Sequence, residues 1–198
     1  MINKLSKYFT DKLFLNGAIT EEEQELYTYG FFMLLSQLMY LVLACIFGLI
    51  LGCFFESTIF YVAFMFIRRY AGGYHAATET RCEILSALSI LACIVVIKLS
   101  KIYDFQNVLL IISTISFVCI FFLGPLDTPE KQLSDKEYKY FRKISWIILF
   151  VIIVLIIVSY IFKFDILLIP CCMSLILESI LIVAGKIKRV YLEKSAKA

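Results

Sequence analysis

A single histidine, His75, stands seven positions before a cysteine, Cys82, in a chain of 198 residues. The surrounding stretch reads Arg68-Arg69-Tyr70-Ala71-Gly72-Gly73-Tyr74-His75-Ala76-Ala77-Thr78-Glu79-Thr80-Arg81-Cys82-Glu83, a polar island between two apolar runs. A thiol and an imidazole are the minimal parts of a cysteine nucleophile and its base. Thr80-Arg81-Cys82-Glu83 has the form of a capping box, with Thr80 as N-cap and Glu83 at the third helical position. Cys82 would then sit in a first helical turn, where unpaired N–H groups and the positive end of the helix dipole stabilise a thiolate. Arg69 and Arg81 add positive charge nearby. The backbone N–H groups of Cys82 and Glu83 are the first candidates for an oxyanion hole.

Geometry sets a condition on this chemistry. If residues 75–82 formed one helix, the two side chains would stand about 10.5 Å apart along its axis. That is beyond the contact an acid–base pair requires. The adjacent Gly72 and Gly73 predict an end or sharp bend of the preceding helix, which allows His75 to fold back over the start of the next. On spacing alone a plainer reading stays open: a loop histidine at headgroup level and a buried cysteine. One His and one Cys leave a zinc ion short of ligands, so no metal site is expected, and no cofactor signature is present.

The elements that must position this island are membrane helices. The chain is 62% hydrophobic with mean hydropathy +0.90, above the roughly 45–50% apolar content of soluble domains. Net charge is only +3, and no basic patch suited to nucleic acid stands out. No cleavable signal peptide is expected, because residues 1–16 lack a long apolar stretch. Alternation of period two is absent, which argues against a β-barrel.

Six spans are predicted, over residues 29–51, 54–67, 83–99, 107–123, 144–162 and 164–184, the second and third being short of the ~20 residues of a full crossing. The expectation is an all-α, polytopic helical bundle forming one integral membrane domain. Residues 1–17 precede it as an interfacial amphipathic helix, 20–184 form the six-span bundle, and 185–198 a basic tail. Sixteen of the nineteen basic residues fall on one side of this arrangement; only Lys98, Lys101 and Lys163 fall on the other. The positive-inside rule therefore predicts both termini and the His75/Cys82 loop to be cytoplasmic.

In the N-terminal segment Ile2, Leu5, Phe9, Leu13 and Tyr8 form an apolar stripe opposite Lys4, Lys7 and Asp11. It suits either the bilayer interface or a helix packed on the loops. Thr20-Glu21-Glu22-Glu23 reads as a capping box that starts the first span. The six cysteines other than Cys82 read as small buried hydrophobes, and disulfides are not implied.

Several further residues invite a role. Glu56, Gln37 and Glu178 lie within spans, and intramembrane carboxylates are costly to bury. Each of these three, or Glu79, is a candidate to orient His75, and Glu178 is preferred because it falls in the cytoplasmic half. Helix–helix hydrogen bonding explains them equally. The basic run Lys131, Lys136, Lys139, Arg142 and Lys143, with Arg68 and Arg69, offers a receptor for an acidic peptide tail; membrane topology alone also accounts for it. Gly48-Leu49-Ile50-Leu51-Gly52 is a GxxxG that serves packing either within the bundle or in a homodimer. Asp127 and Pro129 fit a turn, and Tyr27, Tyr29, Tyr70, Tyr74, Tyr138 and Tyr140 fit an interfacial aromatic belt.

Taken together, Arg-Arg-x-Ala-Gly-Gly-x-His, six residues, then Cys, on a small six-span chain, resembles the AgrB (accessory gene regulator B) family of bacterial peptide quorum sensing. A second stretch, Gly124-Pro125-Leu126-Asp127-Thr128-Pro129-Glu130-Lys131, is similar to the family as well. The resemblance implies a cysteine endopeptidase of the cytoplasmic membrane that processes an AgrD-like propeptide. It implies His75 and Cys82 as catalytic and Arg68 and Gly73 as required. It further implies a thioester on Cys82 that an internal cysteine or serine of the peptide resolves into a thiolactone or lactone ring. The rival reading is a non-enzymatic membrane exporter or signalling partner of a small peptide. Against it, the spans lack the paired charges or broken-helix repeat of a transport path.

Overall fold

The computed structural model describes residues 2–74, 78–126 and 134–195. Its regular elements are helices: α1 (Ile2–Leu15), α2 (Gln24–Leu51), α3 (Phe54–Ala71), α4 (Glu79–Tyr103), α5 (Gln106–Leu123), α6 (Asp135–Phe162) and α7 (Asp165–Ser195). A short 3-10 turn, Glu21–Glu23, leads into α2. The all-α membrane bundle read from hydropathy is the fold. Among the described residues, α2, α4, α5, α6 and α7 are long and apolar enough to cross a membrane. The remaining expected span, α3, has eighteen residues but carries Glu56, Arg68 and Arg69 among them.

The chain packs as two compact units, Met1–Leu43 and Ala44–Ala198. In the first, Gly17 at φ +68° turns the chain after α1. The expected capping box forms: the Thr20 N–H and hydroxyl both donate to Glu23 Oε2, at 2.9 and 3.0 Å. The side of α1 that packs is narrow and polar. Ser6 and Thr10 are buried, Thr28 donates to the Thr10 hydroxyl at 3.1 Å, and Phe9 meets Phe31 at 5.7 Å. Leu5, Tyr8 and much of Phe9 stay exposed, the open apolar stripe that a helix lying in a bilayer interface needs.

The second unit is built around α7, which packs on α3, α4, α5 and α6. Two-thirds of its apolar stretch is buried, against less than a third for α4, α5 or α6. Leu175 and Ile182 of α7 fill the centre with Phe60 and Ile67 of α3, Ile120 of α5 and Leu149 of α6. Ser179 ties α7 to α5 by donating to Ser116 at 2.9 Å. The outer faces of α5 and α6, with Ile111, Ile115, Phe122, Ile157 and Ile161 exposed, are apolar, as a surface solvated by lipid tails must be.

The GxxxG stretch serves the turn from α2 to α3. Gly52 reverses the chain at φ +68°, and Cys53 N–H donates to Gly48 O at 2.8 Å. Gly48 lies so close to α3 that a Cβ there would collide with the Ser57 side chain and stand 3.0 Å from Phe54 Cα. Its close approach is thus spent inside the chain. At the far end, α7 continues to Ser195, so Lys186, Lys188, Arg189 and Lys194 extend the helix.

Candidate active site

The site begins where α3 stops. Gly72 (φ +73°) and Gly73 (φ +131°) both adopt backbone that L side chains avoid, which ends the helix as the sequence predicts. The Arg68 side chain folds over this end. Its Nη1 donates to Gly72 O at 2.6 Å and its Nη2 donates to Tyr74 O. A Cβ on Gly73 would occupy the place of the guanidinium, so the glycine is required both by dihedral and by space.

Two distant segments complete the loop. Tyr74 N–H donates to Leu181 O of α7 at 2.9 Å, and Lys188 Nζ stands 5.5 Å from the centre of the Tyr74 ring. Gly185 lets α7 approach: a Cβ there would lie 2.9 Å from Tyr74 N and 2.6 Å from Leu126 Cδ2. Leu126, from the Gly124-Pro125-Leu126 stretch, donates its N–H to Ala71 O at 2.9 Å and pairs in parallel with Gly72. The two sequence motifs are therefore one structural unit. Beneath it lies Glu178, fully buried, with Oε1 4.0 Å from Arg68 Nη1. Neither of its carboxylate oxygens has a hydrogen-bond partner among the described residues.

His75 lies outside the described residues, as do Asp127, Thr128, Pro129, Glu130 and Lys131, and so does the Glu79 side chain. The chain resumes at Thr78, and here the expected helix start is corrected. Thr78, not Thr80, is the N-cap: its Oγ1 accepts from Arg81 N–H at 3.4 Å and α4 opens at Glu79. Two threonines two residues apart both offer a capping hydroxyl, and the earlier start adds helical residues at no loss of a cap.

This shift moves Cys82 to the fourth helical position, half-buried, where its N–H donates to Thr78 O at 3.0 Å. The Cys82 N–H is thus paired, and Glu83 lies a residue deeper, where helical N–H groups bond internally. The expected oxyanion donors are overturned; Glu79 and Thr80 carry the N–H groups that a helix start leaves open. The geometric condition is met in part, since the helix holding Cys82 begins after His75.

Other candidates separate from this unit. Glu56 is buried but paired with Lys101, at the opposite end of α3. Arg69 points away, with its guanidinium 5.9 Å from the Tyr70 ring centre. Gln37 belongs to the first compact unit. Lys139 is exposed on α6. Arg142 lies 4.8 Å over the Trp146 ring, which itself stacks on Phe121 at 4.6 Å; the Arg142 Nε is buried without a hydrogen-bond partner. Leu181, Gly185 and Lys188 were not singled out by sequence, and Leu126 only as part of the second motif. Only Gly185 carried a signal, as a lone glycine in an apolar helix, where glycine costs ~1 kcal/mol unless close packing demands it.

Comparison with known proteins shows the family to which the chain belongs. A family model, Accessory gene regulator B (AgrB), matches residues 2–182. A protein of Clostridium perfringens (strain SM101 / Type A), named only by likeness as AgrB-like, is 29% identical over 171 residues, 81% of this chain and 79% of its own length. A second AgrB-like protein, of Clostridium perfringens (strain 13 / Type A), is 26% identical over 145 residues, 70% of this chain and 67% of its own length. No solved structure matches the chain. With its membrane helices and a family match running from α1 into α7, the chain belongs to the accessory gene regulator B family.

Proposed function

We propose that this protein is a membrane cysteine endopeptidase acting on an AgrD-like propeptide, with Cys82 as nucleophile and His75 as its base. Family membership supports a role in the agr quorum-sensing system. The observation that carries the enzymatic reading is the built loop at Gly72–Tyr74, fixed on three sides by Arg68, Leu126 and α7 immediately before the histidine. A chain seldom devotes two positive-φ glycines and an arginine set against a fully buried glutamate to a connection without function.

The mechanism follows from the parts. His75 takes the Cys82 proton, or the two rest as a thiolate–imidazolium pair. The sulfur attacks a peptide carbonyl near the C-terminal end of the propeptide. The C–N bond breaks, His75 protonates the leaving amine, and the rest of the peptide stays as a thioester on Cys82. An internal thiol or hydroxyl of that peptide then displaces Cys82 and closes the ring, favoured where water is kept from the thioester. The loop faces the cytoplasm on the charge asymmetry. Arg142 and Lys139, at the start of α6, receive the acidic end of the substrate.

The test is cleavage of a co-expressed propeptide by wild type, Cys82→Ala, His75→Ala and, as control, Cys93→Ala, with Lys139→Glu/Arg142→Glu in the same assay. Loss of about 10³-fold or more in the first two alone is expected, with a raised KM in the charge-reversed variant. Cleavage that persists in Cys82→Ala would sink the enzymatic reading and leave an exporter or signalling partner. An unchanged KM would remove Arg142 and Lys139 from the substrate path.

A further inference from the structure

We propose that Glu178 is a positioning residue: its buried carboxylate holds the Arg68 guanidinium in the orientation that clamps the Gly72 and Tyr74 carbonyls, and so fixes where His75 leaves the loop. The proposal rests on the endopeptidase reading and names the residue that organises its base. Four observations carry it. Glu178 is fully buried on the most enclosed helix of the bundle. Its nearest cation is Arg68 Nη1, at 4.0 Å, while the donors of that guanidinium go to the loop carbonyls. Both Glu178 oxygens lack a hydrogen-bond partner among the described residues. Gly185, about two turns on along α7, is the point where the same helix meets the backbone of Tyr74.

A buried carboxyl group without a hydrogen bond is costly unless a neighbouring charge compensates it. Standing 4.0 Å from a guanidinium that donates to two loop carbonyls, it acts as a counter-charge. It neutralises Arg68 at depth, and in doing so keeps the long side chain folded over the end of α3. Without it, water beyond the helix end competes for the guanidinium, and the Gly72 and Tyr74 carbonyls lose their donor. The residue next to Tyr74 is His75, so the loss falls on the base. This differs from a carboxylate bonded to the imidazole, since Glu178 works through Arg68 and the backbone.

The experiment uses full-length protein in detergent, as wild type, Glu178→Gln, Glu178→Asp, Arg68→Gln and the double variant Arg68→Gln/Glu178→Gln. Amide exchange over residues 68–74 is followed by mass spectrometry, together with the rate of iodoacetamide alkylation of Cys82 and, with co-expressed propeptide, cleavage. In Glu178→Gln we expect exchange at Gly72–Tyr74 to rise about tenfold with the α5 and α6 amides unchanged. Cys82 alkylation should fall toward that of His75→Ala, and kcat by about 10–100-fold with KM held within about twofold. Glu178→Asp should recover most of each, and the double variant should be no worse than Arg68→Gln alone.

Wild-type exchange at Gly72–Tyr74 in Glu178→Gln overturns the proposal. So does exchange that rises equally in every helix, which marks general loosening. If instead wild type and Cys82→Ala cleave alike, the endopeptidase reading fails, and the exchange arm still decides the part played by Glu178.

Discussion

At each end of α3 a buried glutamate faces a cation, Glu56 of α3 toward Lys101 and Glu178 of α7 toward Arg68, and the two pairs solve the same problem differently. At the α2–α3 end, Glu56 bonds directly to Lys101 of α4, so charge and hydrogen bond are satisfied within the pair. At the loop end, Arg68 faces Glu178 at ionic distance but gives its hydrogen bonds to Gly72 and Tyr74. The first arrangement joins two helices. The second leaves a carboxylate unsatisfied so that a loop is satisfied, and native proteins tolerate that deficit chiefly where function repays it.

The contrast can be broken at either end. The largest effect is expected at the loop. Gly73→Ala forces a Cβ into the place of the guanidinium at a dihedral reserved for glycine, and should lower cleavage per folded molecule by about 100-fold. Gly185→Ala, which drives a Cβ against Tyr74 N and Leu126, should do the same more mildly. Normal activity in Gly73→Ala would show that the loop has no part in the chemistry.

A smaller and different effect is expected from Lys101→Met. Leaving Glu56 without its partner should destabilise the fold by about 1–3 kcal/mol, seen as a lower apparent Tm in detergent, with kcat of the surviving protein unchanged. A fall in kcat there would erase the distinction between the two ends. The smallest is Gly48→Ala, where Ser57 must shift to admit a methyl, at a cost of about 1 kcal/mol or somewhat more. Its hydrodynamic size should match wild type, because the glycine packs within the chain. A changed oligomeric state would restore the homodimer use of the GxxxG stretch.

Much of this was legible in the chain. Hydropathy located the membrane helices, since runs such as 144–162 have no other soluble or membranous use, and two adjacent glycines announced the end of α3. The start of the helix that holds Cys82 was misplaced by two residues because Thr78 and Thr80 both offer a capping hydroxyl, and only Thr80 has a glutamate three residues on. The charge asymmetry ranked Glu178 above Glu56 by placing it in the cytoplasmic half, but only packing shows that Glu56 is paired with Lys101 while Glu178 faces Arg68. Leu181 was invisible, because a backbone carbonyl in a helix carries no chemical signature, and the motif that holds Leu126 did not show which of its groups meets α3. What selects them is the approach of α7, a long-range contact that local pattern does not encode.

The hydrogen bond from Tyr74 to Leu181 also orders events in time. During synthesis the thiol and its loop leave the ribosome well before α7, which begins at Asp165. A nascent or truncated chain therefore holds Cys82 without the helix that bonds to the loop at Tyr74. The contacts that fix the loop at Tyr74 therefore form only once α7 is in place.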